Sequence, residues 1–300
     1  MRYYISWTHS DAIYQTYFPN IAVLVSPPSV NLAWTVYEWP QLPRQLMLDS
    51  GAFQYQKEGK MIEPDRAFAR QLQMLAGAEI PTQFCHFDVP MLGAQTQYER
   101  QQRVSQNLRN AQWLLKKIQL QPLSRFMTPI GVIQGYDEMS IYHSARQLAD
   151  MGYTTFALGS LVPFASRNME EAIRRIETAI EAIGINLHIL GISSVTIMRK
   201  IIHHQLRSFD SSSPITESWK GGIFYSAPFR RYKIPSPNLK EWARTYKWAE
   251  ILEAPLACDC PICQQDPQII MSQQGKLNIN KRAVHNCYHL SREFDNNFIE

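Results

Sequence analysis

Three hundred residues, 45% of them hydrophobic and 19% charged, describe a globular protein and exclude wholesale disorder. Thirty Lys and Arg against 26 Asp and Glu leave a net charge of +4, compatible with a polyanionic partner but too mild to require one. No apolar run reaches the ~18–20 residues of a membrane span, and the opening Met1-Arg2-Tyr3-Tyr4-Ile5-Ser6-Trp7 lacks the apolar stretch of a signal peptide, so a cytoplasmic protein without a membrane partner is expected.

Two apolar runs open the chain, at residues 3–7 and 21–26. From residue 46 onward a unit repeats, in which a short apolar run ends in polar or glycine residues and an amphipathic stretch follows. The run ends are Leu46-Met47-Leu48-Asp49-Ser50-Gly51, Phe84-Cys85-His86-Phe87-Asp88, Ile130-Gly131-Val132-Ile133-Gln134-Gly135, Phe156-Ala157-Leu158-Gly159-Ser160, Ile189-Leu190-Gly191-Ile192-Ser193 and Leu206-Arg207-Ser208-Phe209-Asp210. Apolar runs without alternation fit strands buried on both faces, as in a parallel sheet.

The stretches between them read as helices. Met169, Ile173, Ile176, Ile180 and Ile183 recur at steps of four and three, Asn168 can cap the first turn, and Gly184 suits a left-handed position past the last. Residues 65–77 and 98–118 carry less tidy versions of the pattern. Six βα steps, with one or two more from the opening runs, add up to an α/β fold: a (β/α)8 TIM-type barrel. A doubly wound open sheet is the rival, but no Gly-x-Gly-x-x-Gly follows the first strand.

In a barrel, Asp49, Asp88, Gln134, Ser160, Ser193 and Asp210 all fall at the C-terminal ends of strands, the face on which barrel enzymes assemble their active sites. One such carboxylate alone would be read as a helix cap. Three with an amide in one ring point to chemistry.

After Ser213-Pro214 the repeat stops. Residues 1–214 are expected to form most of the catalytic barrel, and residues 215–300 a basic and aromatic segment, a zinc-binding subdomain and a closing helix. Phe229, Arg230, Arg231, Tyr232, Lys233, Lys240, Trp242, Arg244, Tyr246, Lys247 and Trp248 interleave charge with rings, as a nucleic-acid surface does; a solvated helix with its rings turned to the core is the other reading.

Of five cysteines, three lie within six residues, Cys258-Asp259-Cys260-Pro261-Ile262-Cys263, a spacing for metal rather than for a disulfide framework. A structural Zn2+ wants a fourth ligand, and His285, Cys287 and His289 compete for that place. Cys85, standing alone, is expected to be a small buried apolar residue.

Taken together and in order, Leu48-Asp49-Ser50-Gly51-Ala52-Phe53, Phe87-Asp88-Val89-Pro90, Gly131-Val132-Ile133-Gln134-Gly135, Ala157-Leu158-Gly159-Ser160, Leu190-Gly191, Phe209-Asp210, the Cys-x-Cys-x-x-Cys knuckle and Val284-His285-Asn286 resemble the tRNA-guanine transglycosylase superfamily over roughly residues 46–289. The resemblance implies a (β/α)8 barrel with a zinc subdomain near its C-terminal end, His285 as the fourth ligand, and a homodimer through the zinc region. It also implies exchange of guanine in a polynucleotide for a free 7-deazaguanine base. In that reaction Asp210 would be the nucleophile at C1′, giving a covalent glycosyl-aspartate, and Asp49 the general acid/base. Asp88 and Gln134 would read the heterocycle edge with the Gly159 backbone, Phe53 would stack on the ring, and Ser50 would support the pocket beside Asp49. The residue types suit the chemistry: displacement at C1′ needs a carboxylate on the open face and a proton donor that can reverse its role.

Two departures from the tRNA enzymes resemble instead the DNA-directed, DpdA-type deazapurine-modification branch. Ser211-Ser212-Ser213-Pro214-Ile215-Thr216-Glu217 holds no arginine where the tRNA enzymes have a Pro-Thr-Arg segment. Leu161-Val162-Pro163 follows Ser160 where the bacterial enzymes carry a glutamate for an aminomethyl group, so the neutral nitrile base 7-cyano-7-deazaguanine (preQ0) fits better. The sequence also leaves no stretch after residue 300 for the added RNA-binding domains of the archaeal enzymes. The expectation is insertion of preQ0 into DNA, with a helper protein that opens the duplex. Its rivals are the same exchange on tRNA and a barrel that binds nucleic acid without catalysis.

Overall fold

The computed structural model describes residues 1–60, 62–94, 96–192, 194–235, 250–272 and 274–294. Its chain divides into two compact units, one of residues 1–9 with 22–211 and the other of residues 10–21 with 212–300.

In the first unit both opening runs are strands, which completes the ring at eight. The strands β1 (Arg2–Trp7), β2 (Ala22–Val25), β3 (Gln45–Leu48), β4 (Thr82–Cys85), β5 (Met127–Ile133), β6 (Phe156–Leu158), β7 (Leu187–Ile189) and β8 (Ser208–Ser211) form a closed barrel in sequence order. Every pair is parallel, and β8 closes on β1 with Tyr4 opposite Asp210. Alternate side chains fill the interior: Tyr4, Ala22, Leu24, Met47, Cys85, Ile130, Val132 and Ala157 form one buried cluster. Cys85 is therefore the small buried filler its surroundings imply. The intervening residues face outward onto helices, as where Phe84 meets Phe68 edge-on at 6.0 Å.

The helices of this unit are α1 (Ala52–Lys57), α2 (Pro64–Leu75), α3 (Gln97–Gln119), α4 (Glu138–Asp150), α5 (Val162–Arg167), α6 (Met169–Ile183) and α7 (Val195–Ile201). Capping fixes their starts. The Asn168 side chain accepts from Glu171 N–H at the head of α6, and α3 and α4 open with reciprocal capping boxes, Thr96 with Glu99 and Asp137 with Ser140. Past the end of α6 the chain turns at Gly184 with φ +76°. Of the residues expected at strand ends, Ser193 lies outside the described residues.

The second unit holds α8 (Ser213–Trp219), the antiparallel strands β9 (Gly222–Tyr225) and β10 (Arg230–Lys233), the short β11 (Glu250–Ile251) beside β10, and the long helix α9 (Lys276–Phe294). Two buried polar residues of α9 tie it together. Asn286 donates to Ser218 Oγ and Gly222 O and accepts from Phe224 N–H at 2.8 Å. Arg282, almost fully buried, donates to Ile270 O and Ser218 O and also bonds Ser272 O. Each polar atom so paired avoids the penalty of burial without a partner. From the other end of the chain, Phe18 stacks on Tyr288 and Ser10 O accepts from Asn280.

Residues Arg230–Lys233 of the basic and aromatic segment form a strand rather than a helix, with Arg230 exposed and the next three packed more closely. Tyr232 is buried, Arg231 lies over the Phe224 ring at 5.3 Å, and Lys233 pairs with Glu217 at 3.7 Å. Lys240, Trp242, Arg244, Tyr246, Lys247 and Trp248 lie outside the described residues. Among the described residues no helix is long and apolar enough to cross a membrane.

Candidate active site and metal centre

The C-terminal ends of parallel strands bring three carboxylates to one end of the barrel, and strand parity turns two of them inward. Asp210 stands opposite the inward-facing Tyr4, so its side chain also points inward; Asp49 follows β3 at the parity of inward-facing Met47. Asp88 follows β4, Gln134 follows β5 directly, and Gly159 and Ser160 follow β6.

Asp210 is buried and held on both oxygens. Its Oδ1 accepts from Gly191 N–H at 2.7 Å and meets His188 Nε2 at 3.2 Å, and its Oδ2 accepts from the Ser6 hydroxyl at 2.6 Å. Asp49 accepts from the Ser26 hydroxyl at 3.0 Å and from Gly51 N–H at 3.1 Å. Withdrawal from water raises the Asp49 pKa above the usual carboxylate value, the Asp210 charge adding to the rise and these hydrogen bonds opposing it. Asp49 is thus close enough to Asp210 to feel its charge.

Asp88 and Gln134 form a single network. Gln134 Nε2 donates to Asp88 Oδ2 at 2.6 Å, the Ser50 hydroxyl donates to Asp88 Oδ1 at 2.9 Å, and the Ser160 hydroxyl donates to Gln134 Oε1 at 2.6 Å. Burial, helped by the neighbouring Asp49 charge, pushes the Asp88 carboxyl up to about 6. Gly159 lies against the Gln134 amide so closely that any Cβ there would overlap it, while its N–H donates to Ile133 O at 3.1 Å. Ser160 takes φ +57°, an uncommon conformation for a residue with a side chain, and its hydroxyl also accepts from Met91 N–H at 3.0 Å. Phe53, on α1, keeps 44% of its surface exposed, as a ring free to receive a flat partner would.

One face of α3 holds the segment that carries Asp88. Asn110 Nδ2 donates to Phe87 O at 2.7 Å, Asn107 accepts from Val89 N–H and donates to Val89 O, and Arg103 donates to Pro90 O at 2.7 Å. These residues sit four and three apart, on one helix face. They, with Ser6, Ser26 and His188, are site residues that the sequence reading missed. For Ser6 and His188 a signal existed: each is a polar residue at an inward position of an apolar strand.

In the second unit, Cys258, Cys260, Cys263 and His285 bring their ligand atoms within 4.8 Å of one another. The His285 Nδ1 lies 3.4 Å from the sulfurs of Cys260 and Cys263 and 3.7 Å from that of Cys258. Tetrahedral zinc with ordinary Zn–S and Zn–N lengths requires S···N separations of about 3.6 Å. His285 Nε2 donates to Phe224 O at 2.8 Å, which leaves Nδ1 bare toward the sulfurs, and the Cys260 and Cys263 N–H groups donate to Cys258 and Cys260 Sγ. The donor set fits zinc. Of the rivals for the fourth place, Cys287 is fully buried and outside the group, and His289 takes another role. Its Nδ1 accepts from Ser226 N–H at 3.0 Å, so Nε2 carries the proton and donates to Cys258 Sγ at 3.2 Å.

A family model described as queuine tRNA-ribosyltransferase matches residues 28–297 of the chain. A DNA-guanine transglycosylase from Salmonella montevideo is 28% identical over 93 residues, which make up 31% of this chain and 22% of that protein. The match thus spans about a fifth of the relative's length.

Proposed function

Because this chain belongs to the queuine tRNA-ribosyltransferase family, we propose that it is a pentosyltransferase that exchanges guanine in DNA for preQ0 without cutting the backbone. The observation that carries this reading is that Asp210 and Asp49 stand at the same end of the barrel, with Asp49 within reach of the Asp210 charge. One is a carboxylate fixed by three hydrogen bonds, the other a carboxyl group that burial and its neighbour's charge incline to keep its proton. A nucleophile beside a reversible acid is what displacement at C1′ requires.

Asp210 attacks C1′ as the C1′–N9 bond breaks, the bonding pair passing to the guanine, which takes up the Asp49 proton. The sugar is then an ester of Asp210. The incoming base gives its N9 proton to Asp49, its N9 bonds C1′, and the pair of the C1′–O bond returns to Asp210. Ionised Asp88 accepts from the N–H groups on the base's hydrogen-bonding edge, and Gln134, turned by Ser160, completes the pattern. Gly159 leaves room for the Gln134 amide, and Phe53 covers the ring face.

DNA as the substrate is supported by the DNA-guanine transglycosylase relative and by Ser211-Ser212-Ser213 after the nucleophile, with no arginine through Glu217. A base flipped from a duplex costs a few kcal/mol, so a partner that opens DNA is expected. The uncharged preQ0 is supported by buried Leu161 and by Val162 lying against Gly191. The same exchange on tRNA is the second reading, favoured by the description of the family itself. Cys258, Cys260, Cys263 and His285 would hold a structural zinc, whose four protein ligands leave no open position and whose contribution is to cross-link the knuckle to α9.

Nucleoside mass spectrometry of DNA and tRNA from cells expressing the protein tests the choice of polymer. The deazaguanine deoxynucleoside is expected in DNA. Its absence there, with the ribonucleoside rising in tRNA, would replace the first reading by the second.

A further inference from the structure

The two oxygens of Asp210 are dressed unequally. Oδ1 meets two nitrogen donors held by the fold, Gly191 N–H and His188 Nε2, whereas Oδ2 meets the hydroxyl of Ser6, which can rotate away. The His188 ring is itself fixed. Its Nδ1 lies 2.8 Å from Ser208 Oγ, its strand register sets it opposite Ser208, and Tyr4 packs against it edge-on at 5.5 Å. A carboxylate can only accept, so Nε2 carries the ring proton and the Ser208 hydroxyl donates to Nδ1. His188 and Ser208 are both fully buried, and no competing solvent disturbs this orientation.

We propose that His188 is a positioning residue for glycosyl transfer: with Gly191 N–H it reserves Oδ1 as the carbonyl oxygen of the glycosyl ester and leaves Oδ2 as the atom that bonds C1′. The inference rests on the reading of Asp210 as the nucleophile. When Oδ2 attacks, the Ser6 hydroxyl releases it, and Oδ1 keeps both nitrogen donors throughout. On the return step the C1′–Oδ2 pair goes back to the carboxylate, and the charge that reappears on Oδ1 meets two N–H groups already aimed at it. Donors to Oδ1 favour the free carboxylate over the ester, because the carboxylate oxygen carries more charge. They therefore speed release of the sugar and do not speed its capture.

That asymmetry gives a readout that general loosening of the barrel does not. Wild-type protein, His188→Phe, His188→Gln and Asp210→Ala are compared with radiolabelled guanine and whichever polynucleotide, DNA or tRNA, the wild type labels. Turnover is read from label incorporated, and the adduct from the protein-linked polynucleotide that survives denaturation. His188→Phe should lower turnover about tenfold or more and raise the steady-state adduct severalfold, with the KM for guanine little changed. His188→Gln, which retains an N–H donor, should return both toward wild type. If His188→Phe does not fold, Ser208→Ala, which unties the ring, should raise the adduct in the same direction. An adduct fraction that is unchanged or lower in the folded variant overturns the proposal. An adduct that persists in Asp210→Ala instead removes the nucleophile assignment on which it rests.

Discussion

Gln134 holds Asp88 Oδ2 at 2.6 Å with its amide N–H while its own oxygen accepts from Ser160. One amide therefore helps fix the Asp88 carboxylate, and it is itself held by a residue at φ +57°.

Disturbing that amide should affect base recognition before stability. Gly159→Ala would push a methyl group into it. The KM for guanine is expected to rise at least about tenfold, while the far-ultraviolet circular dichroism stays that of the wild type. An unchanged KM would remove Gln134 from recognition of the base.

Asp88 should leave a mark on the pH dependence of folding. Its carboxyl is raised from 3.8 to about 6, so the folded chain binds this proton more tightly than the unfolded chain does. The contribution is greatest below about pH 4 and is lost as pH rises through about 6, amounting to about 3 kcal/mol. Asp88→Asn should flatten this part of the urea-unfolding profile relative to wild type and gain stability at pH 7. Asp49, whose pKa burial also raises, should add to the fall in stability as pH rises.

The barrel was legible because strands buried on both faces give unbroken apolar runs, and Asp49, Asp88 and Asp210 stood out as carboxylates at their ends. The cysteine knuckle was legible from spacing alone. Other parts left no such pattern. Asn107, Asn110 and Arg103 act on backbone atoms, which impose no complementary residue type elsewhere in the chain. Ser6 and His188 look like interruptions of a strand until register sets them beside Asp210. Residues 10–21 join the second unit through contacts some 270 residues distant, such as Asn280 with Ser10, which local patterning cannot register.

The metal centre can be tested apart from activity. Purified protein should carry about one zinc per chain, and Cys260→Ser should lose it together with cooperative unfolding of the unit that holds the knuckle. His289→Phe removes the N–H donor to Cys258 Sγ while sparing all four ligands, and should weaken zinc about ten- to a hundredfold in competition with a chelator. Unchanged affinity would make His289 a packing residue.

In the proposed mechanism Asp210 carries the sugar between the two bases. Protein incubated with polynucleotide and guanine, stopped by denaturant and digested, should yield one peptide bearing a glycosyl ester, and fragmentation should locate it at Asp210. Asp210→Ala should give no such peptide and lose exchange by about a thousandfold or more, with its unfolding transition intact. An ester found on Asp49, or exchange that survives in Asp210→Ala, would contradict the account.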